Sequence, residues 1–256
     1  MNKHTPSAMS MTSRPPAAPV LMYHRIGRPR RESIVAGQYV PAGLFERHMR
    51  FLKRRGYEAM DLGRFVRELA CPTPGMRPLA ITFDDGYEST YREALPILNR
   101  LGMTATVFVV AGCIGLTNAW DEAKGDVSER IMTADQIVDA HRRGLIIASH
   151  TTSHCDLVSC ADEDASEEIR ASKEILEGIL GSPVEWFSYP YGREDERIRA
   201  LVRSSGYLGA CGTHRTLNTS RTDPYSLARL NVRSSTSVPW LIYKLARARR
   251  DDRAER

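Results

Sequence analysis

Along this 256-residue chain, short apolar runs alternate about seven times with amphipathic stretches, and that alternation limits the fold more than any other feature. Runs such as PLAITF, TATVFVVAG and LIIASH are apolar throughout, as strands covered on both faces are. PVLMYHRIG, VEWFSYPYG, YLGACGT and LARLNV read as further strands. The segments between them carry helix signals. LFERHMRFLKRRG places Leu44, Phe45, His48, Phe51 and Leu52 on one face and stops at Gly56. DLGRFVRELA starts at an Asp61 N-cap, TADQIVDAHRRG runs from a Thr133 cap to Gly144, and ASEEIRASKEILEGILG is the clearest helix. In YREALPILNRLG, Pro96 either kinks the helix or marks its true start. Strands joined through helices imply right-handed crossovers and a mostly parallel sheet. So many units in one domain predict an α/β fold, a distorted and closed or nearly closed (β/α) barrel of about seven to eight strands, over an open doubly wound sheet. The barrel is assigned to residues 19–236. Residues 1–18, rich in Pro, Ser and Thr, read as a disordered leader, and 237–256 as a basic C-terminal helix or tail.

Charge and composition exclude several classes. The net charge is +5, with much of the excess in KLARARRDDRAER, a solvated end or a peripheral contact with an anionic membrane. No aromatic residues interleave with basic ones as base-stacking platforms, which excludes nucleic acid, and no glycine-rich phosphate loop follows a strand. No stretch approaches the roughly 20 apolar residues of a membrane span, and the N-terminus lacks a signal-peptide core. A cytoplasmic location is expected, with the tail able to hold the chain near the inner membrane face. Cys71, Cys113, Cys155, Cys160 and Cys211 show no CxxC spacing and read as free thiols of a reducing compartment.

In (β/α) barrels chemistry collects at the carboxyl ends of the strands. Here those ends carry Tyr23-His24, Asp84-Asp85-Gly86, His150 with His154, and Tyr189-Pro190-Tyr191-Gly192. Two adjacent carboxylates at the tip of a buried strand are costly unless they are solvated or share a cation. His150 and His154 are four apart, but TTS between them is poor helix material, so a loop that wraps back is expected. By itself the pair fits a metal or ordinary hydrogen bonding equally. Two histidines with one aspartate form a three-ligand set that leaves a metal position open, and the aspartate pair can supply the third ligand.

TFDDG, SHTTSH and YPYG, in this order, resemble the first three motifs of the polysaccharide deacetylase family (the NodB homology domain, carbohydrate esterase family 4-like), over about Pro19 to Arg233. LMYHRIG, FDDGY and ARLNV look like its branch associated with surface and exopolysaccharide synthesis. The resemblance implies a hydrolase that removes acetyl from an N-acetylated sugar of a bacterial surface polysaccharide or its precursor. It implies a divalent metal, zinc foremost and cobalt, nickel or manganese as alternatives. Carried over, Asp85, His150 and His154 are the metal ligands and Asp84 the catalytic base. The backbone N–H of Tyr191 helps hold the oxyanion, with Pro190 and Gly192 shaping its turn. Tyr87 is a candidate substrate contact, although a tyrosine opening a helix also packs.

The chain departs from the family pattern in three places. Phe187, Ser188 and Tyr189 stand where an arginine often orients the catalytic aspartate, so that partner is missing or replaced. LARLNVRSS lacks the histidine of the family's Leu-x-His acid, and the tryptophan motif has no counterpart between Gly192 and Trp240. Of the seven histidines, His24 is the expected general acid, with His214 second. His4 lies in the leader, and His48 and His141 sit on helices as structural residues. Two other readings stay open: an amidohydrolase for a small non-sugar amide, and a carbohydrate-binding protein that kept the metal site without turnover.

Overall fold

The computed structural model describes residues 17–254, and side chains up to 248. Most of the expected leader, residues 1–16, therefore lies outside the described residues. Strand β1 (Val20–Tyr23) is followed by two short strands that pair with each other, β2 (Arg25–Ile26) and β3 (Tyr39–Val40). Next come α1 (Ala42–Arg54), β4 (Tyr57–Ala59), α2 (Leu62–Ala70), β5 (Arg77–Phe83), and α3 (Leu95–Leu101), entered through a π turn at Thr90–Ala94. Then follow β6 (Thr106–Val109), the short α4 (Ala119–Glu122), α5 (Ala134–Arg142), β7 (Ile146–Ser149) and α6 (Asp162–Leu180). The chain ends with β8 (Trp186–Ser188), α7 (Glu196–Ser204), β9 (Gly209–Cys211), β10 (Leu230–Asn231) and α8 (Val238–Ala254).

The main sheet runs β10-β1-β5-β6-β7-β8-β9 with every pair parallel, and β4 joins the first half of β5. A parallel bridge, Cys211 to Leu227, ties β9 to the segment entering β10, so the curled sheet returns on itself as the expected distorted barrel. The helix signals hold: Asp61 accepts from the Arg64 N–H at 2.7 Å, Thr133 and Gln136 form a capping box, and Gly102 ends α3 at φ 61°. Pro96 stands in the first turn of α3, directly after the π turn Thr90–Ala94. The expected strand PVLMYHRIG is broken after Tyr23, and β3, β4 and α4 are additional.

Side chains alternate across each strand, so two cores form. Outward residues such as Leu21, Tyr23, Leu79, Ile81, Phe83, Val107 and Val109 pack with Phe45, Met49 and Leu52 of α1 and with the other helices. Inward residues Val20, Ala80, Phe108, Ala148, Trp186, Cys211 and Leu227 form a second cluster, joined by Leu62, Phe65 and Leu69 of α2. His48 is structural, as expected. It bonds the Tyr23 hydroxyl at 3.1 Å and the Thr236 carbonyl at 2.7 Å, and burial pushes its pKa down to about 4. Leu241, Leu245 and Ala248 of α8 are buried, so the start of the expected tail is part of the fold. The membrane contact expected of the remaining tail falls on side chains outside those described. Among the described residues no helix is long and apolar enough to cross a membrane.

Candidate active site

Five of the inward rows, followed to the carboxyl end of the strand, change from apolar to polar. Val20 and Met22 lead to His24, Ala80 and Thr82 to Asp84, Ala148 to His150, Trp186 to Ser188, and Leu227 to Arg229. With a side-chain period of two, these groups are delivered to one end of the barrel interior.

Asp85, His150 and His154 converge there. Their ligand atoms all lie within 4.8 Å of one another, and all three residues are buried. The Nε2 atoms of His150 and His154 stand 3.5 and 3.4 Å from Asp85 Oδ1. His150 Nδ1 donates to the Ser188 carbonyl at 2.7 Å, which turns the Nε2 lone pair toward Asp85. Burial pushes the Asp85 carboxyl up, but the two imidazoles outweigh it and hold the group well below the usual carboxylate range. Two imidazole nitrogens and one carboxylate oxygen, buried and within 4.8 Å of one another, fit a divalent cation.

The local backbone is bent to make this cluster. Among the described residues, the non-glycine residues with positive φ are Asp85 (74°), Thr151 (66°), His154 (62°) and Tyr191 (60°), all at this site. Such conformations cost about 1–3 kcal/mol each and persist where surrounding bonds fix them. Here Glu168 of α6 accepts from the N–H groups of Thr152 and Ser153 at 2.9 and 2.8 Å, and Thr151 Oγ1 accepts from the His154 N–H at 2.9 Å. The expected wrapped-back loop is present, and it is braced.

Asp84 is held by a residue that the sequence reading passed over. Arg229 donates to Asp84 Oδ1 at 2.6 Å and Oδ2 at 2.9 Å, to Ser188 Oγ at 2.9 Å, to Thr82 Oγ1 at 3.3 Å and to the Gly212 carbonyl at 2.8 Å. All five guanidinium donors are used, and the residue is 1% exposed. The arginine absent from before Tyr189 is thus replaced from the next end of the barrel, out of LARLNV. Burial pushes the Asp84 carboxyl up, yet Arg229, His150 and His24 together hold it below its ordinary value.

His24 lies near both carboxylates, lowering each, and its Nδ1 is buried without a hydrogen-bond partner among the described residues. His214 is exposed and sits 3.5 Å from Glu194 instead. Tyr191 packs edge-on against His154, with centroids 4.7 Å apart, and is 47% exposed at the mouth. Gly192 and Arg193 N–H donate back to Tyr189 and Pro190 at 2.9 and 3.2 Å, leaving the Tyr191 N–H outside the turn's own bonds. Gly192, at φ 68°, has no room for a side chain: a Cβ would fall 2.1 Å from Thr213 Oγ1.

Tyr87, expected on the substrate side, is instead 1% exposed, and its hydroxyl accepts from Arg25 at 2.6 Å. Its ring and that of Tyr39 flank this arginine, which also pairs with Asp121 at 2.8 Å and Asp126 at 2.7 Å. That cluster anchors α4, whose Trp120 stacks on His154 (4.8 Å, 21°). Beyond it, Lys124 donates to the Tyr191 hydroxyl at 2.9 Å. Trp120 supplies a tryptophan beside the Asp-His-His cluster, upstream of the interval in which one was sought.

Residues 72–210 match the family model for polysaccharide deacetylase. YxkH of Bacillus subtilis, a protein named for the same family, is 29% identical over 229 residues, 88% of this chain and 75% of that one. The poly-β-1,6-N-acetyl-D-glucosamine N-deacetylase of Staphylococcus epidermidis is 23% identical over 192 residues, 73% of this chain and 66% of its own. Among solved structures, the Streptococcus pyogenes deacetylase PplD in complex with acetate superposes with a TM-score of 0.78 at 24% identity, over 90% of this chain and 98% of that one. IcaB from Ammonifex degensii gives 0.76 at 21% identity, over 89% and 96%. At these identities the solved structures speak for the barrel alone, while the match over 72–210 takes in the aspartate pair, both histidines and the Tyr189–Gly192 turn. On that match, the chain belongs to the polysaccharide deacetylase family.

Proposed function

We propose that this chain is a metal-dependent hydrolase that removes N-acetyl groups from an amino sugar of a bacterial surface polysaccharide or its precursor. The observation that carries this reading is the convergence of Asp85, His150 and His154 within 4.8 Å, directly beside a carboxylate clamped by Arg229. The relative named as a poly-β-1,6-N-acetyl-D-glucosamine N-deacetylase supports the sugar class. Asp85, His150 and His154 would hold the ion, and two imidazoles with one carboxylate suit zinc, with cobalt, nickel or manganese as the alternatives. Such an ion, when bound, polarises the acetamide carbonyl and makes water a better nucleophile.

The chain's own groups do the rest. Asp84, ionised and oriented by Arg229, takes the proton of the attacking water as the new C–O bond forms. The Tyr191 N–H donates to the oxyanion, with Pro190 and Gly192 fixing its direction. His24 protonates the departing nitrogen as the C–N bond breaks, releasing acetate and a free amine. The unpartnered Nδ1 of His24 and its place on the same inward row as Val20 and Met22 support it over the exposed His214.

Acetate release from acetylated glucosamine oligomers, followed against pH, tests both the reaction and the acid. His24→Ala is expected to lose about a hundredfold or more in turnover at unchanged metal content, and His214→Ala to keep both. Unchanged kinetics in His24→Ala remove it as the acid. No acetate from oligomers or from nucleotide- and lipid-linked N-acetyl sugars would favour a small-amide substrate or a binding role.

A further inference from the structure

A second concave region, of about 370 Å³, lies along α8, between that helix, β10 and the connection from β9 to β10. Arg215, Arg233, Lys244 and Arg247 line it, and no carboxylate does so among the described residues. Lys244 donates to the Asn231 carbonyl, and its neighbours oppose its charge: burial, then Arg215 and Arg233, hold its pKa below the usual lysine range. Arg215, Arg233 and Lys244 repel one another, and an anion placed among them removes that repulsion. The lining also holds two aromatic residues. Trp240 and Tyr243, one turn apart on α8, stack at 4.7 Å and 17°, and each is 47% exposed.

Two arginine forks beside a lysine suit a phosphoester, whose several acceptor oxygens can engage more than one guanidinium. The two rings cover each other on one side, and the outer face of the stack is one on which the C–H side of a sugar ring packs. We propose that this groove binds a phosphate-bearing sugar, its phosphoester held by Arg215, Arg233 and Lys244 and its ring laid on the outer face of the Trp240–Tyr243 stack. The sugar half of this assignment rests on the deacetylase reading above, and the phosphate half does not. The groove and the active site meet at the start of β10: Arg229, just before the strand, turns inward onto Asp84, and the next residue, Leu230, lines the groove.

Glucose 1-phosphate is a suitable probe, since it carries no acetyl group and cannot be turned over. Calorimetric titration of the full chain should show it binding about tenfold or more tighter than glucose or inorganic phosphate alone. The Arg215→Gln/Arg233→Gln double variant should weaken it about tenfold or more, with loss growing as salt is lowered in the parent comparison. Trp240→Ala should reduce it to the level of inorganic phosphate, while Asp85→Ala, which lacks a metal ligand, should leave the titration unchanged. Binding lost in Asp85→Ala but intact in the double variant overturns the proposal and puts the phosphate at the Asp-His-His cluster. No glucose 1-phosphate binding, with arginine-dependent sedimentation on phosphatidylglycerol vesicles, overturns it in favour of a lipid surface. Absence of acetate release with groove binding intact counts against the deacetylase reading alone.

Discussion

Asp84→Asn is expected to retain the metal and to lose about 10² to 10⁴ of its turnover, the usual contribution of a positioned base. The amide is nearly the same size, so it can still accept from Arg229, but it cannot take up the proton of the attacking water. The ligand cluster should survive because Asp85, not Asp84, is the carboxylate that faces His150 and His154. Acetate release measured beside elemental analysis separates the two effects. An Asp84→Asn chain with parental turnover removes the base assignment. A chain that has lost its metal shows instead that Asp84 belongs to the ligand set.

The second large effect is expected at Arg229. Arg229→Gln leaves Asp84 buried opposite a group that carries no charge, and breaking a buried pair in this way costs about 3–5 kcal/mol. The double variant Asp84→Asn/Arg229→Gln should recover part of that loss, because the unpaired charge is gone. The pH dependence has a definite sign. The native Asp84 carboxyl lies below its unfolded value, so the stability it contributes is fully present above the ordinary carboxylate pKa, about 3.9. That contribution is lost as pH falls through the lower native value. In Arg229→Gln the upward push of burial loses its main opponent, so the acid limb of acetate release should move to higher pH. A chain destabilised by lost packing alone would leave that limb where it was. Recovery of the parental limb in Arg229→Lys would further identify charge as the cause.

The barrel was legible because its central strands are unbroken apolar runs and its helices carry marked ends, as at Asp61, Thr133 and Gly102. The convergence of Asp85, His150 and His154 was legible because all three stand just beyond strand ends. Arg229 was not, because it occupies the inward row just before the two-residue strand β10, where no apolar run marks the direction of the side chain. Counting back by twos from the strand would have placed it with Leu227, facing the barrel interior. Tyr87 misled for the opposite reason. It follows the aspartate pair closely, but its destination depends on Arg25, a partner 62 positions away. Trp120 sits on a four-residue helix too short to show a period, held in place by that same arginine through Asp121. In each case the contact that fixes the side chain is distant in sequence, and local pattern does not encode it.

The central claim, that Asp85, His150 and His154 hold a divalent ion beside an Asp84 free to act as base, is tested most directly by elemental analysis of the purified chain and its Asp85→Ala and His150→Ala variants. The account predicts about one divalent ion per parent chain and almost none in either variant, since two remaining protein ligands do not make a tight site. Full occupancy in Asp85→Ala or in His150→Ala would contradict it.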